Sequence, residues 1–157
     1  MIDIVRIDES FSRWDELLAL ILSSFAYMEG VIDPPSSATR LTLAALAYKA
    51  RDEIAFVAVE GERLVGCIFC RPEPESLYVG KFAVSPSHQG KGIGAKLLAV
   101  AEEVAREKGL PRLRLETRIE LTDNHATFAR WGFVKTAETS HPGFTRTTTI
   151  EMQKQLA

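Results

Sequence analysis

The sequence predicts a mixed α/β fold: a mostly antiparallel central sheet with flanking helices, in the order β-α-α-β-β-β-α-β-α-β-β. Three observations carry this. Short runs at both ends and in the middle of the chain are apolar or alternate apolar with polar, as strands do. Four other segments space their apolar residues for one face of a helix. Between an apolar run and one of those helices lies a glycine-rich loop, and the next apolar run follows that helix, which makes a strand-helix-strand unit.

The elements follow in order. IDIVRI (2–7) alternates as a half-buried strand. Ser10 or Ser12 is placed to cap a helix through about Glu29, with Trp14, Leu17, Leu18, Ile21, Leu22 and Phe25 on one face. GVIDPPSS (30–37) ends it, because proline biases the preceding residue away from helix. A second helix covers ATRLTLAALAYKARD (38–52). IAFVAVEGERLVGCIFCR (54–71) is two apolar runs about Glu60-Gly61-Glu62, a hairpin signal. LYVGKFAV (77–84) is a strand closed by Ser85-Pro86, with Lys81 snorkelling from an apolar run. A helix then runs to Lys108, with Gly109 as its cap. RLRLET (112–117) is a strand, and DNHATFARW (123–131) a short helix ending at Gly132. FVKTAET and FTRTTTIEMQKQ form a final antiparallel pair around SHPG. The unit 77–117 is a crossover between parallel strands, almost always right-handed.

The totals set bounds. The 157 residues fit one domain, 1–157, able to bury a core without disulfides or metal. A formal net charge of −2 argues against a nucleic-acid binder. No apolar run approaches the roughly 18 residues of a membrane span, and MIDIVRIDES lacks a signal-peptide layout. The expectation is a cytoplasmic protein with neither nucleic-acid nor membrane partners. Cys67 and Cys70 have C-x-x-C spacing, but a zinc site needs four ligands, and His88, His125 and His141 are scattered. Positions three apart on a strand face opposite sides. Two reduced structural thiols and no metal are expected.

SPSHQGKGIGAKLL (85–98) carries the chemistry. A helix N-terminus exposes unpaired N–H groups and a partial positive charge. Glycines before it let successive N–H groups converge into an anion nest, and Gln89 and Lys91 add a donor and a charge. A phosphate or pyrophosphate seat follows. Three loop patterns compete for it. The Walker A pattern fails because Ala95 and Leu97 stand where glycine and Ser/Thr are needed. The dinucleotide pattern matches Gly90, Gly92 and Ala95, with Glu116 about 20 residues on, and leaves an NAD(P)-binding oxidoreductase as an alternative. Against it, SPSHQ separates the strand from the first glycine, and the chain after Thr117 is short for a second nucleotide-binding half. The third pattern, Gln/Arg-x-x-Gly-x-Gly/Ala, is matched by Gln89, Gly92 and Gly94.

At these residues the chain resembles the GNAT superfamily of N-acetyltransferases. FAVSPSHQGKGIGAKLLAVAEEVA (82–105) is similar to that family's acetyl-CoA motif, and NHATFARWGFVKT (124–136) to its later helix–strand motif. The resemblance implies an acyl-CoA N-acyltransferase fold with acetyl-CoA as cosubstrate. It implies that the backbone of Phe82, Ala83 and Val84 pairs with the pantetheine arm, and that N–H groups of Gln89, Gly90, Lys91, Gly92, Ile93, Gly94 and Ala95 hold the pyrophosphate. Strands 77–84 and 112–117 should splay, and Asn124 and Phe128 should flank the arm. The acceptor is then a small-molecule or peptide amine, attacking the thioester directly with no enzyme nucleophile. The Val84 backbone N–H is the oxyanion donor in this picture. Many relatives carry at the Phe128 position a tyrosine proposed to protonate the leaving thiolate. Phenylalanine cannot do so, which keeps open a non-catalytic acyl-CoA-binding sensor. Tyr78 is the candidate base or relay, with a cross-strand aromatic as the plainer alternative. His141 is a candidate on the acceptor side, and Glu29 and Asp33 are candidates for binding a cationic acceptor. By analogy with relatives, the final strand offers an edge for a homodimer.

Overall fold

Alternation along the strands gives the molecule two cores. On strand Arg63–Pro72, Val65, Ile68 and Cys70 enter one apolar cluster, while Leu64, Cys67 and Phe69 enter another. The two cysteines therefore face opposite sides, as their three-residue spacing requires. Both are free and buried, and burial pushes their thiols up to about 12. The structure, a computed structural model, describes residues 1–156.

The strands are β1 (Ile2–Arg6), β2 (Ile54–Glu60), β3 (Arg63–Pro72), β4 (Leu77–Val84), β5 (Arg112–Arg118), β6 (Val134–Thr139) and β7 (Thr149–Gln155). They form one sheet in the order β1-β2-β3-β4-β5-β7-β6. Every pairing is antiparallel except β4 with β5. Helices α1 (Trp14–Phe25) and α2 (Leu43–Asp52) cover one face, burying Leu17, Leu20, Ile21 and Leu46. Helix α3 (Ile93–Glu107) covers the other with Ile93, Leu97, Leu98, Ala101, Val104 and Ala105. The short α4 (Thr122–Arg130) buries no residue fully and lines the sheet near β5.

Four expectations are corrected. Helix α1 starts at Trp14 without a side-chain cap, because Ser10 instead bonds Asp8 in a local turn. The helix also ends at Phe25, and a 3₁₀ turn, Ala26–Met28, follows. The expected second helix is broken into a 3₁₀ turn, Ser37–Arg40, and α2, because Thr42 supplies a new cap by accepting from the Ala45 N–H at 3.1 Å. The last strand begins only at Thr149, and it lies between β5 and β6, so its backbone is paired on both sides. The sheet edges belong to β1 and β6.

One ion pair fixes the turn between β3 and β4 to β5. Arg114 donates Nε and Nη2 to the two carboxylate oxygens of Glu73, both at 2.9 Å. That pairing holds the Glu73 carboxyl below its ordinary 4.5. A lowered carboxyl stabilises the fold fully above the ordinary value and loses that contribution as pH falls through it towards the lowered one. Urea midpoints measured from pH 7 to pH 3 should therefore fall more steeply in the wild type than in Glu73→Gln. Parallel curves would show that the pair adds nothing.

Candidate active site

Strands β4 and β5 pair only at Leu77 with Leu113 and Tyr78 with Arg114. Beyond that they part, because each answers to a different neighbour. Strand β5 stays in register with β7 over seven pairs. Strand β4 bends at a bulge, where Lys81 and Phe82 together oppose Ile68. Lys81 adopts a left-handed φ of 40°, and its carbonyl accepts from the Cys67 thiol at 3.2 Å. Burial lowers the Lys81 ammonium pKa. The parting opens a cleft of about 1030 Å³ through the sheet. Along it the edge of β4 is free. Ser85 turns its N–H to β3, donating to the Val65 carbonyl at 2.8 Å, so alternation turns the N–H and C=O of Val84 into the cleft. The Val84 carbonyl there accepts from Ser24 Oγ at 3.1 Å and Gln89 Nε2 at 3.3 Å.

The glycine loop sits at one mouth of the cleft. Gly90 and Gly92 have φ of 79° and 81°, and a Cβ at either would meet nothing within 4 Å. Gly92 is the N-cap of α3 and offers no side chain, so the N–H groups of the first helical turn are left open to an anion. The loop is pinned from behind. His88 is buried and shares hydrogen bonds with Glu60 Oε1 at 3.1 Å and Ser87 Oγ at 2.8 Å. Gly94 serves packing instead: a Cβ there would lie 2.9 Å from the Trp131 ring.

Phe82, Ala83, Val84, Gln89, Gly90, Gly92, Ile93, Gly94, Asn124 and Phe128 all line the cleft, while Lys91 in the loop and Ala95 in α3 are exposed and do not line it. Phe128 packs with Phe82, Trp131 and Phe133 at ring separations of 5.7 to 6.3 Å, an apolar wall. Tyr78 lies at the root of the parting, its ring between the guanidinium groups of Arg71 and Arg114, each 4.7 Å away. Burial raises its pKa, so the phenol keeps its proton at neutral pH, which suits a relay or a stacking role over a base. His141 also lines the cleft, with Nδ1 hydrogen-bonded to Thr148 Oγ1. Glu29 and Asp33 are exposed and do not line it, and the Asp33 carboxylate pairs with Arg146 at 3.5 Å.

Sequence reasoning missed three cleft residues. Glu116 on β5 projects from the same face as Arg114 and lines the cleft, a carboxylate read from the sequence only as a ribose ligand. Trp131 closes the wall behind Gly94, signalled only by a glycine inside a helix. Tyr27, from the turn after α1, accepts from Asn124 Nδ2 at 3.0 Å across 97 residues of chain, with no local signal. The dinucleotide reading fails on topology. A turn, Pro86–His88, separates β4 from Gly90, and the sheet has a single parallel pair.

A sheet parted between its two parallel strands, with a glycine loop and an uncapped helix start at one mouth, is the arrangement that the resemblance to the GNAT superfamily implies. The Acetyltransferase (GNAT) family matches residues 14–133, and the chain belongs to that family. N-alpha-acetyltransferase 30 of Schizosaccharomyces pombe is 25% identical over 88 residues, 53% of this chain and 59% of that protein. The mycothiol acetyltransferase of Jonesia denitrificans is 33% identical over 93 residues, 57% of this chain and 28% of that protein. The chain thus spans no more than 59% of the length of either. The PaiA N-acetyltransferase of Thermoplasma acidophilum, in complex with coenzyme A, shares the fold with a TM-score of 0.79 at 17% identity, over 98% of this chain and 99% of that one.

Proposed function

We propose that the protein transfers an acetyl group from acetyl-CoA to a primary amine on a compact, small-molecule acceptor. The observation that carries this is the cleft itself. It joins an anion nest on one side of the sheet to the Glu116 carboxylate, which pairs with Arg114 at 3.3 Å, on the other. A lysine-like amine has a pKa near ~10.4 and must lose a proton before it attacks. Glu116 takes that proton in this reading, directly or through one water. The neutral amine then attacks the thioester carbonyl, and the Val84 N–H steadies the negative oxygen. The carbon–sulfur bond breaks and coenzyme A leaves. Cys67 and Cys70, buried with raised pKa, take no part.

The preference for a compact acceptor over a peptide rests on the segment between α1 and α2. Arg118 donates Nη1 to the Pro34 carbonyl at 2.5 Å and Nη2 to the Pro35 carbonyl at 3.1 Å. Arg146, from the β6–β7 loop, donates to the Asp33 carbonyl at 2.8 Å. The two segments bordering the acceptor side are therefore tied to each other, which leaves an extended chain no open trough between them. The free thiols support a cytoplasmic setting. The edges of β1 and β6 are the places where a homodimer would pair.

Thermal shift and thiol release test the reading. Coenzyme A at ten times its dissociation constant should stabilise the fold by about 1.4 kcal/mol, and NAD should not. Small primary amines should then give thiol above the hydrolysis background, and peptides of random sequence should give less. A CoA-binding sensor without turnover is the second reading, favoured by Phe128, whose ring has no proton to give. Stabilisation by coenzyme A with no thiol release from any amine would decide for it.

A further inference from the structure

We propose that Tyr27 delivers the proton to the departing thiolate. The inference rests on the acetyl-transfer reading above and goes beyond it. The tyrosine, histidine and cysteine side chains nearest the cleft differ in where they lie and how their protons are held. The Tyr78 ring lies at the root of the parting between two guanidinium groups. The His141 ring is tied through Nδ1 to Thr148, which is itself fully buried, in the loop between β6 and β7. Both cysteines lie in the apolar cores, outside the cleft. Tyr27 differs. Its oxygen is an acceptor, taking a hydrogen bond from Asn124 Nδ2 at 3.0 Å, and its own proton is left unengaged.

The position is as telling as the bond. Asn124 and Phe128 are one turn apart on α4, so they share a face of that helix, and both line the cleft. The Tyr27 hydroxyl is thus held against the α4 wall, brought there from the opposite side of the cleft by the turn after α1. Phe128, beside it, is apolar and packed among rings. The step balances as follows. The amine nitrogen forms a bond to the acetyl carbon and releases its second proton to solvent, and the carbon–sulfur bond breaks with its electron pair going to sulfur. Sulfur then takes the Tyr27 proton to give the thiol. The phenolate regains a proton from solvent, which reaches it because Tyr27 is 52% exposed.

The test uses the whole chain with acetyl-CoA and an accepted amine. Tyr27→Phe should lower kcat about 10²-fold, the low end for general acid catalysis, and leave the dissociation constant of coenzyme A within twofold. Phe128→Tyr in the same chain should restore turnover, since residue 128 shares the face of α4 that holds the hydroxyl. As a second arm, added imidazole buffer should speed Tyr27→Phe and not the wild type, which decides the matter if Phe128→Tyr fails to fold. Wild-type kcat in Tyr27→Phe, a loss confined to KM, or absence of rescue in both arms would overturn the proposal. No thiol release from the wild type would instead sink the acetyl-transfer reading.

Discussion

Gly92→Glu is expected to weaken coenzyme A binding by at least 100-fold and to leave the chain folded. Gly92 caps α3 at a φ of 81°, and its missing side chain leaves the first turn of amides open. A glutamate there would place its carboxylate in the nest, satisfying donors that otherwise receive phosphate and repelling a doubly charged diphosphate. A 100-fold loss corresponds to about 2.7 kcal/mol. The fold tolerates the change for two reasons. A Cβ at Gly92 meets nothing within 4 Å. A carboxylate at a helix N-terminus is itself favourable, which offsets part of the ~1 to 2 kcal/mol that a left-handed φ costs any residue but glycine. Gly92→Ala separates the two effects. It carries the backbone strain without the offsetting carboxylate, so it should lose somewhat more stability than Gly92→Glu yet bind coenzyme A far better. Titration calorimetry and melting curves on both variants read this. Wild-type affinity in Gly92→Glu would remove the loop from the site.

The backbone of the glycine loop was legible because it depends on local chemistry alone. Gly90 and Gly92 adopt the positive φ that a tight turn into a helix requires, while Gly94 makes room for the Trp131 ring. The strands were legible for a similar reason, since alternation is written along each one. What the sequence hid is set between elements. Lys81 looks like a stray charge in an apolar strand, and only the register of β3 against β4 shows that it makes the bulge that parts the sheet. Tyr27 and Asn124 meet because α1 and α4 are brought to one cleft by the whole fold. Glu116 reads as a ribose ligand until β5 leaves β4 and brings it to the gap. The helix boundaries slipped where a side chain chose a local partner, as Ser10 did with Asp8.

Gly66→Val should cost about 3 kcal/mol of stability and disturb the nest from behind. Gly66 lies on β3 beneath the start of α3, and there space, not backbone freedom, requires glycine. A Cβ at that position would stand 3.0 Å from Leu97 Cδ1, 3.2 Å from Ile93 Cγ2 and 3.2 Å from the Ala83 carbonyl oxygen. Leu97 is a side-chain end and can turn. The Ala83 carbonyl is backbone paired with Cys67, so it moves only if the β3–β4 ladder moves. Ile93 is the first residue of α3, so pressing on it shifts the turn whose amides form the nest. Overpacking a filled core costs about 1 to 3 kcal/mol, and valine, with two methyls beyond the Cβ, belongs at the upper end. Gly66→Ala should cost about 1 kcal/mol on the same scale. A double-mutant cycle in urea identifies the clash. Leu97→Ala alone opens a cavity and destabilises, but combined with Gly66→Val it should cost less than the two losses added, because the valine then fills the vacated space. Strict additivity would mean that the strain is taken up by Ala83 and Ile93 instead. In that case the folded Gly66→Val protein should show the weaker coenzyme A binding that a displaced nest produces.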